Sequence, residues 1–268
     1  MSAGHSSTSA EQIARAFVDA RRTGVALAEY PGDMPDTLSE GYRVQDAALS
    51  MSPRTVAGWK VGKIDPPVEG ANRLAGPIFA DQIVTAAVES AGTRTKMPVF
   101  ANGFAAAEAE FLLRLGTAPD PAQACYTDDE ARALVDAVHV GIEIASSPFR
   151  GINANGPAVT VSDFGNNNGL IVGALVANWR ESDIGGWPVA LLVNGVEIGR
   201  ATAATMLDGP FGAVRFLVEH MALRGIALPA GTWISTGAVT GVHPVAIGDV
   251  VEATFDDRLA LRCKITAR

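Results

Sequence analysis

Two glutamates two positions apart, inside an otherwise apolar run, constrain this chain more than any other feature. Residues 104–115 read FAAAEAEFLLRL. Alanine and leucine favour a helix on propensity, but a helix would point Glu108 and Glu110 to different sides. A strand puts both carboxylates on one face. It also sorts their neighbours, with Ala107, Ala109, Phe111, Leu113 and Leu115 facing one way and Glu108, Glu110 and Arg114 the other. Like charges side by side on a strand repel. The run therefore needs either solvent, with Arg114 nearby, or a positive charge between the glutamates. On spacing alone the solvated face is the commoner outcome.

A second stretch has the same logic. In VHVGIEIA, Val138, Val140, Ile142 and Ile144 alternate with His139, Gly141 and Glu143, the period of a strand. If the two strands converge, Glu108, Glu110 and Glu143 face one point. Such an all-oxygen donor set suits a hard divalent ion, Mg²⁺ or Mn²⁺, with open positions for water or substrate.

The 268 residues allow one large domain, or one with a small appendage, and the 48% hydrophobic content supports a substantial core. Ser9 with Gln12, and Thr37 with Glu40, form capping-box patterns that start helices through IARAFVDARR and YRVQDAALSM. Gly24 and Pro53 end them. After residue 55 strands dominate. TVAGWKVGKI reads as one, and VALLVNGVEIGRA reads as a hairpin about Asn194-Gly195. IDPPVEGANRLAGP, at 64–77, reads as a loop from its prolines and glycines. Thr127 and Glu130 cap a helix through ARALVDAV, GPFGAVRFLVEHMALRG is a helix closed by Gly225, and two strands flank Asp256-Asp257. The expectation is an α+β chain, with a helical segment over 1–54 and a β-rich catalytic domain over 55–268.

The net charge of -8 argues against a general nucleic-acid or anionic-membrane surface. Cys125 and Cys263 have no metal-ligand spacing and suit a reducing compartment. The N-terminus is polar and lacks the pattern of a signal peptide, and the apolar window 170–179 is too short to span a membrane. These features point to a cytoplasmic location. GxSxG, P-loop, GxGxxG and HExxH motifs are missing, so serine hydrolysis and nucleotide binding have no support.

Lys60, in GWKVG, sits in a short apolar strand where it is either desolvated for proton transfer or packed by its stem with its ammonium in water. SDFGNNNG (162–169) and STGAVTG (235–241) offer polar donors and close backbone approach, or else plain turns.

Taken in order, YRVQ (42–45), GWKVG (58–62), GPIFAD (76–81), EAEF (108–111), GIEIASS (141–147) and PAGTWISTGAVTGVHPVAIGD resemble the fumarylacetoacetate hydrolase superfamily, in its 2-oxopent-4-enoate hydratase and 4-oxalocrotonate decarboxylase branch. The resemblance implies a mixed β-roll with a small N-terminal helical part, assembled as a homo-oligomer. It implies Mg²⁺ or Mn²⁺ on Glu108, Glu110 and Glu143, with Lys60 and Asp81 catalytic. It also implies a substrate site at Gly237 and Thr240, with Asp163 and Asn167 from SDFGNNNG. The expected reaction is hydration of a small 2-hydroxy-2,4-dienoate, or its 2-oxo tautomer, to a 4-hydroxy-2-oxo acid in aromatic-compound catabolism. Two departures bear on it. ANRLAG, with Arg73 and Leu74, stands where family hydratases carry a further aspartate, and SSPFR replaces the usual DSR. A 4-oxalocrotonate-type decarboxylase is the alternative within the branch. An acylpyruvate-type C–C hydrolase is another, though no histidine lies between His5 and His139 to serve it. A non-catalytic binding protein would show no tight metal binding.

Overall fold

The computed structural model describes residues 9–86 and 95–268. The loose tail expected over 1–8, with His5, lies outside them. Helix α1 (Ala10–Thr23) and helix α2 (Leu38–Met51) both begin with the capping boxes read from the sequence, at Ser9 and Thr37. α1 ends on Gly24, in the left-handed conformation at φ 74°. β1 (Val56–Val68) and β2 (Ala71–Phe79) follow, then β3 (Ile83–Thr85) and β4 (Thr95–Val99). β5 (Phe104–Leu115) is the glutamate-bearing run, and it is a strand, not a helix. α3 (Asp128–Ala133) leads into β6 (Val135–Ser147), and α4 (Pro157–Ser162) into β7 (Asn167–Leu175). The expected hairpin is β8 (Pro188–Val193) with β9 (Val196–Thr202). Its Asn194 and Gly195 both lie at positive φ, as a type I′ turn requires. α5 (Gly209–Leu223), β10 (Trp233–Ser235), β11 (His243–Pro244), β12 (Val250–Phe255) and β13 (Leu259–Ala267) complete the chain.

One expectation fails in detail. Residues 64–77 form no open loop, because β1 runs on to Val68 and pairs back on β2 around a turn at Glu69-Gly70. The register shifts between Lys63 and Val68. Asp65, Pro66 and Pro67 fall in that gap, where prolines forfeit no ladder hydrogen bond. The helix expected through ARALVDAV also stops early, and its last residues open β6.

Among the described residues the strands form two mixed sheets. One runs β2-β1-β10-β5-β6-β7-β3, with β11 also on β5, and the other β4-β13-β12-β8-β9. The expected α+β class and mixed β-roll hold. Apolar faces of the two sheets meet in the main core, where Phe111 of β5 packs edge-on to Phe255 of β12 at 5.3 Å. A second core joins Ile13, Phe17 and Val44 of the first two helices to Phe79, Phe149 and Phe164. No described helix is long and apolar enough to cross a membrane.

Phe111→Ala should remove one of the largest fully buried side chains between the sheets. Urea unfolding should show a loss of about 3–5 kcal/mol; a loss below about 1 kcal/mol would contradict this account of the core.

Candidate metal centre

The centre is built by sheet register. β5 and β6 are antiparallel, and Glu108 lies directly opposite Glu143, while Glu110 lies opposite Gly141. A Cβ on Gly141 would lie 2.2 Å from Leu112 Cδ1, so the small residue leaves the packing beside Glu110 intact. Lys60 joins from β1 across β10, which stands between β1 and β5. Carboxylate oxygens of Glu108, Glu110 and Glu143 all lie within 4.8 Å of one another. All three glutamates are buried, Glu110 and Glu143 with no exposure at all. That excludes the solvated strand face. Arg114 turns away and forms a two-bond pair with Asp136 at 2.9 Å.

Two of the buried carboxylates, Glu110 and Glu143, have fixed partners. Ser235 Oγ and the Gly237 N–H both donate to Glu110 Oε2, the latter at 3.1 Å. Asn167 Nδ2 donates to Glu143 Oε1 at 2.8 Å. Lys60 Nζ stands 3.4 Å from Glu143 Oε2 and donates to Asn166 Oδ1 at 3.3 Å. One lysine against three carboxylates leaves negative charge in excess, and burial of charge is costly. Burial pushes Glu108 up to about 7, with the Glu143 charge adding to it and Lys60 opposing. It holds Glu110 well above the usual carboxylate range, helped by Glu143 and Glu108. Burial pulls Lys60 down, but the charges of Glu143, Glu108 and Glu110 outweigh it and raise its ammonium above the ordinary lysine value.

The donor set fits a divalent cation. Glu110 Oε1 and Asn167 Oδ1 are buried with no hydrogen-bond partner, and buried polar atoms are rarely left so. A cation among the three carboxylates would satisfy that excess with oxygen ligands alone. Beside the cluster opens a cleft of about 500 Å³ with Lys60 and Glu108 in its wall. Its lining combines polar Asn153, Thr160 and Asn166 with apolar Ile64, Leu74 and Val242.

The remaining expected site residues divide. Asn167 reaches the centre, but as a support of Glu143. Gly237, at φ 105°, holds Glu110 through its N–H and lines a smaller neighbouring cleft. Thr240 Oγ1 is buried without a partner, beside the segment that lines the larger cleft. Asp81 and Asp163 do not line that cleft. Asp81 is exposed and held by both nitrogens of an Arg54 fork. Asp163 is buried against Arg21, with Nε to Oδ1 at 2.5 Å, so its carboxylate is spent inside the protein. Ser235, Asn166 and Arg21 were not singled out in the sequence. The first two lie in segments that were, and Arg21 continues the buried stripe of Ile13 and Phe17 at helical spacing.

Taken together, these features define a β-roll protein with a buried acidic centre able to hold a divalent ion at the wall of a small-molecule cleft. No protein-family model matches the chain. It is 30% identical over 138 residues to a 4-oxalocrotonate decarboxylase of Pseudomonas putida, a match covering 52% of each chain. It is 27% identical over 257 residues to the TodF product hydratase of Pseudomonas putida strain F1, covering 93% of this chain and 91% of that one. The match thus spans about half the length of the decarboxylase and nearly all of the hydratase. In fold it is similar to 4-oxalocrotonate decarboxylase from Pseudomonas putida G7 complexed with magnesium and adipate, with TM-score 0.80, 20% identity, and 96% and 97% of the two chains covered. It is also similar to fumarylpyruvate hydrolase from Pseudomonas aeruginosa in complex with Mn²⁺ and pyruvate, with TM-score 0.58, 17% identity, and 81% and 93% covered. The chain is thus similar in sequence to this decarboxylase and this hydratase, and it shares its fold with both solved structures.

Glu108 supplies a signed test. Its folded carboxyl sits at about 7 against an ordinary 4.5, so between those values the folded chain holds more protons than the unfolded one. Stability must then fall as pH rises through that window. Metal-free protein should melt lower at about pH 7 than at about pH 5, and excess Mn²⁺ should abolish the difference. Equal melting temperatures without metal, or no effect of Mn²⁺, would contradict the burial of these charges at one cation site.

Proposed function

We propose that the chain is a divalent-metal-dependent lyase that adds water to a 2-hydroxy-2,4-dienoate, through its 2-oxo tautomer, to give a 4-hydroxy-2-oxo acid. The observation that carries this reading is the convergence of Glu108, Glu110 and Glu143 with Lys60 at the wall of one cleft. Glu108, Glu110 and Glu143 would hold Mg²⁺ or Mn²⁺, and Asn167, Ser235 and the Gly237 N–H fix the orientation of two of them. When bound, such an ion supplies a Lewis acid for a substrate carboxylate and its adjacent oxygen, stabilising enolate charge.

Lys60 is the proton-carrying side chain at the junction of cluster and cleft. Its ammonium is held charged by the glutamates. Once those charges are neutralised, burial remains and lowers the lysine, towards a group that exchanges protons readily. Asn153, Thr160 and Asn166 give the cleft polar groups that can hold an attacking water, and Ile64, Leu74 and Val242 give it apolar surface for the hydrocarbon chain. The hydratase that matches over 93% of this chain supports the same reading.

Decarboxylation is the second reading. The half-length match to the decarboxylase supports it. So does Leu74, an apolar residue of the cleft lining in the region where family hydratases carry a further aspartate, leaving less acid–base apparatus to activate water.

Product analysis by NMR with 2-hydroxypenta-2,4-dienoate and Mg²⁺ tests hydration. A 4-hydroxy-2-oxo acid should form, and a chelator should abolish it. Ketonisation without hydration, together with CO₂ release from a 2-oxo dicarboxylate, would move the assignment to decarboxylation. Lys60→Met should lower kcat by about 10²–10⁴-fold while Mn²⁺ binding persists; near-normal turnover would remove the lysine from the chemistry.

A further inference from the structure

Arg21 stands at the last turn of α1, on a helix that contributes nothing directly to the acidic centre, yet its side chain is 4% exposed. Among the described residues, its hydrogen bonds go to the segment before and into β7 and to the end of β6. Nε and Nη2 grip the two Asp163 oxygens at 2.5 and 2.9 Å, and Nη2 also donates to the Asp163 carbonyl at 3.2 Å. Nη1 donates to the Asn167 carbonyl at 3.0 Å and to Asn168 Oδ1 at 3.4 Å, and Nη2 to the Ser146 carbonyl at 3.2 Å. The Phe164 ring lies against the guanidinium at 5.3 Å.

The clamped segment is conformationally unusual. Phe164, Gly165 and Asn166 lie in succession at φ 56°, 61° and 58°. Side-chain-bearing residues avoid that region, and such strain persists only where the surroundings over-determine it. The backbone is also wedged against β2, since a Cβ on Gly76 would sit 2.2 Å from the Phe164 carbonyl oxygen. At the far end of this left-handed run the two amides face the centre, Asn166 accepting from Lys60 and Asn167 donating to Glu143.

We propose that Arg21 is a positioning residue for the acidic centre. Its fork on Asp163 holds the left-handed run 164–166, and through that run sets Asn166 against Lys60 and Asn167 against Glu143. The N-terminal helix is thereby part of the centre's second layer. The inference deepens the metal-centre reading and rests on it. Outer-layer contacts of this kind orient ligands, and losing one typically lowers metal affinity about 10–100-fold.

The test compares three variants of the full chain by Mn²⁺ calorimetry, amide hydrogen exchange and melting temperature. Arg21→Lys keeps the charge but not the planar fork. It should bind Mn²⁺ at least about tenfold more weakly, with faster exchange confined to residues 163–168. Asn167→Ala leaves the clamp in place and should lose comparable affinity without that faster exchange. Leu217→Ala, a cavity in α5 away from the loop, should melt lower and bind Mn²⁺ normally. Should Arg21→Lys not fold, Asp163→Asn takes its place with the same expected result. Normal Mn²⁺ affinity in the clamp variant, or equal loss in Leu217→Ala, overturns the proposal. If the wild-type chain binds no Mn²⁺, the metal reading falls on its own. The clamp is then decided by exchange, where unchanged protection of 163–168 in Arg21→Lys rejects it.

Discussion

Glu108 of β5 faces Glu143 of β6 across an antiparallel ladder, and the functional half of the molecule is arranged around that contact. Like charges directly opposite on a sheet repel, and here they do so without water, since Glu143 is fully buried. The register cannot slip to relieve it. A one-residue shift would turn the glutamates towards the inter-sheet core and bring Phe111, Ala109 and Ile142 out of it. Packing between the two sheets therefore enforces an electrostatic arrangement that the carboxylates by themselves would reject.

What relieves the repulsion comes from several strands. Lys60 arrives on β1, Ser235 on β10, and Asn167 at the start of β7. In the order β1-β10-β5-β6-β7, each of five neighbouring strands delivers a side chain to the same centre. Sheet architecture suits this task because side chains one strand apart stand close and point the same way. The price is a cluster of buried charge that neither lysine nor hydrogen bonds fully satisfy, and stability withheld in this way is common at functional sites.

The cleft draws on the same segments. The turn that carries Asn166 supplies both a partner for Lys60 and part of the cleft lining, and Ile64 and Leu74 of the β1–β2 hairpin add apolar surface to it. On the proposed function, a lining that mixes polar and apolar residues beside the acidic cluster suits a ligand with an acid head and a short hydrocarbon chain.

Much of this was legible in the sequence, for physical reasons that differ by element. Period-two alternation settled β5 against the helix propensity of its alanines and leucines, because a strand alone puts Glu108 and Glu110 on one side. Capping boxes at Ser9 and Thr37 and the Asn194-Gly195 turn are local chemistry, complete within a few residues, and they stand where the sequence placed them. The 64–77 hairpin was not legible, because whether Pro66 and Pro67 break a ladder depends on a register gap that only the partner strand reveals. Asp81 and Asp163 carry the right chemistry by type, yet their charge is taken by Arg54 and Arg21, residues 27 and 142 positions away. The sequence by itself determined which strands bear the glutamates and which face they share. Only the tertiary structure decided that this face is buried, that Lys60 meets it, and which of the other polar residues are free to act, because burial and pairing depend on contacts between segments far apart in the chain.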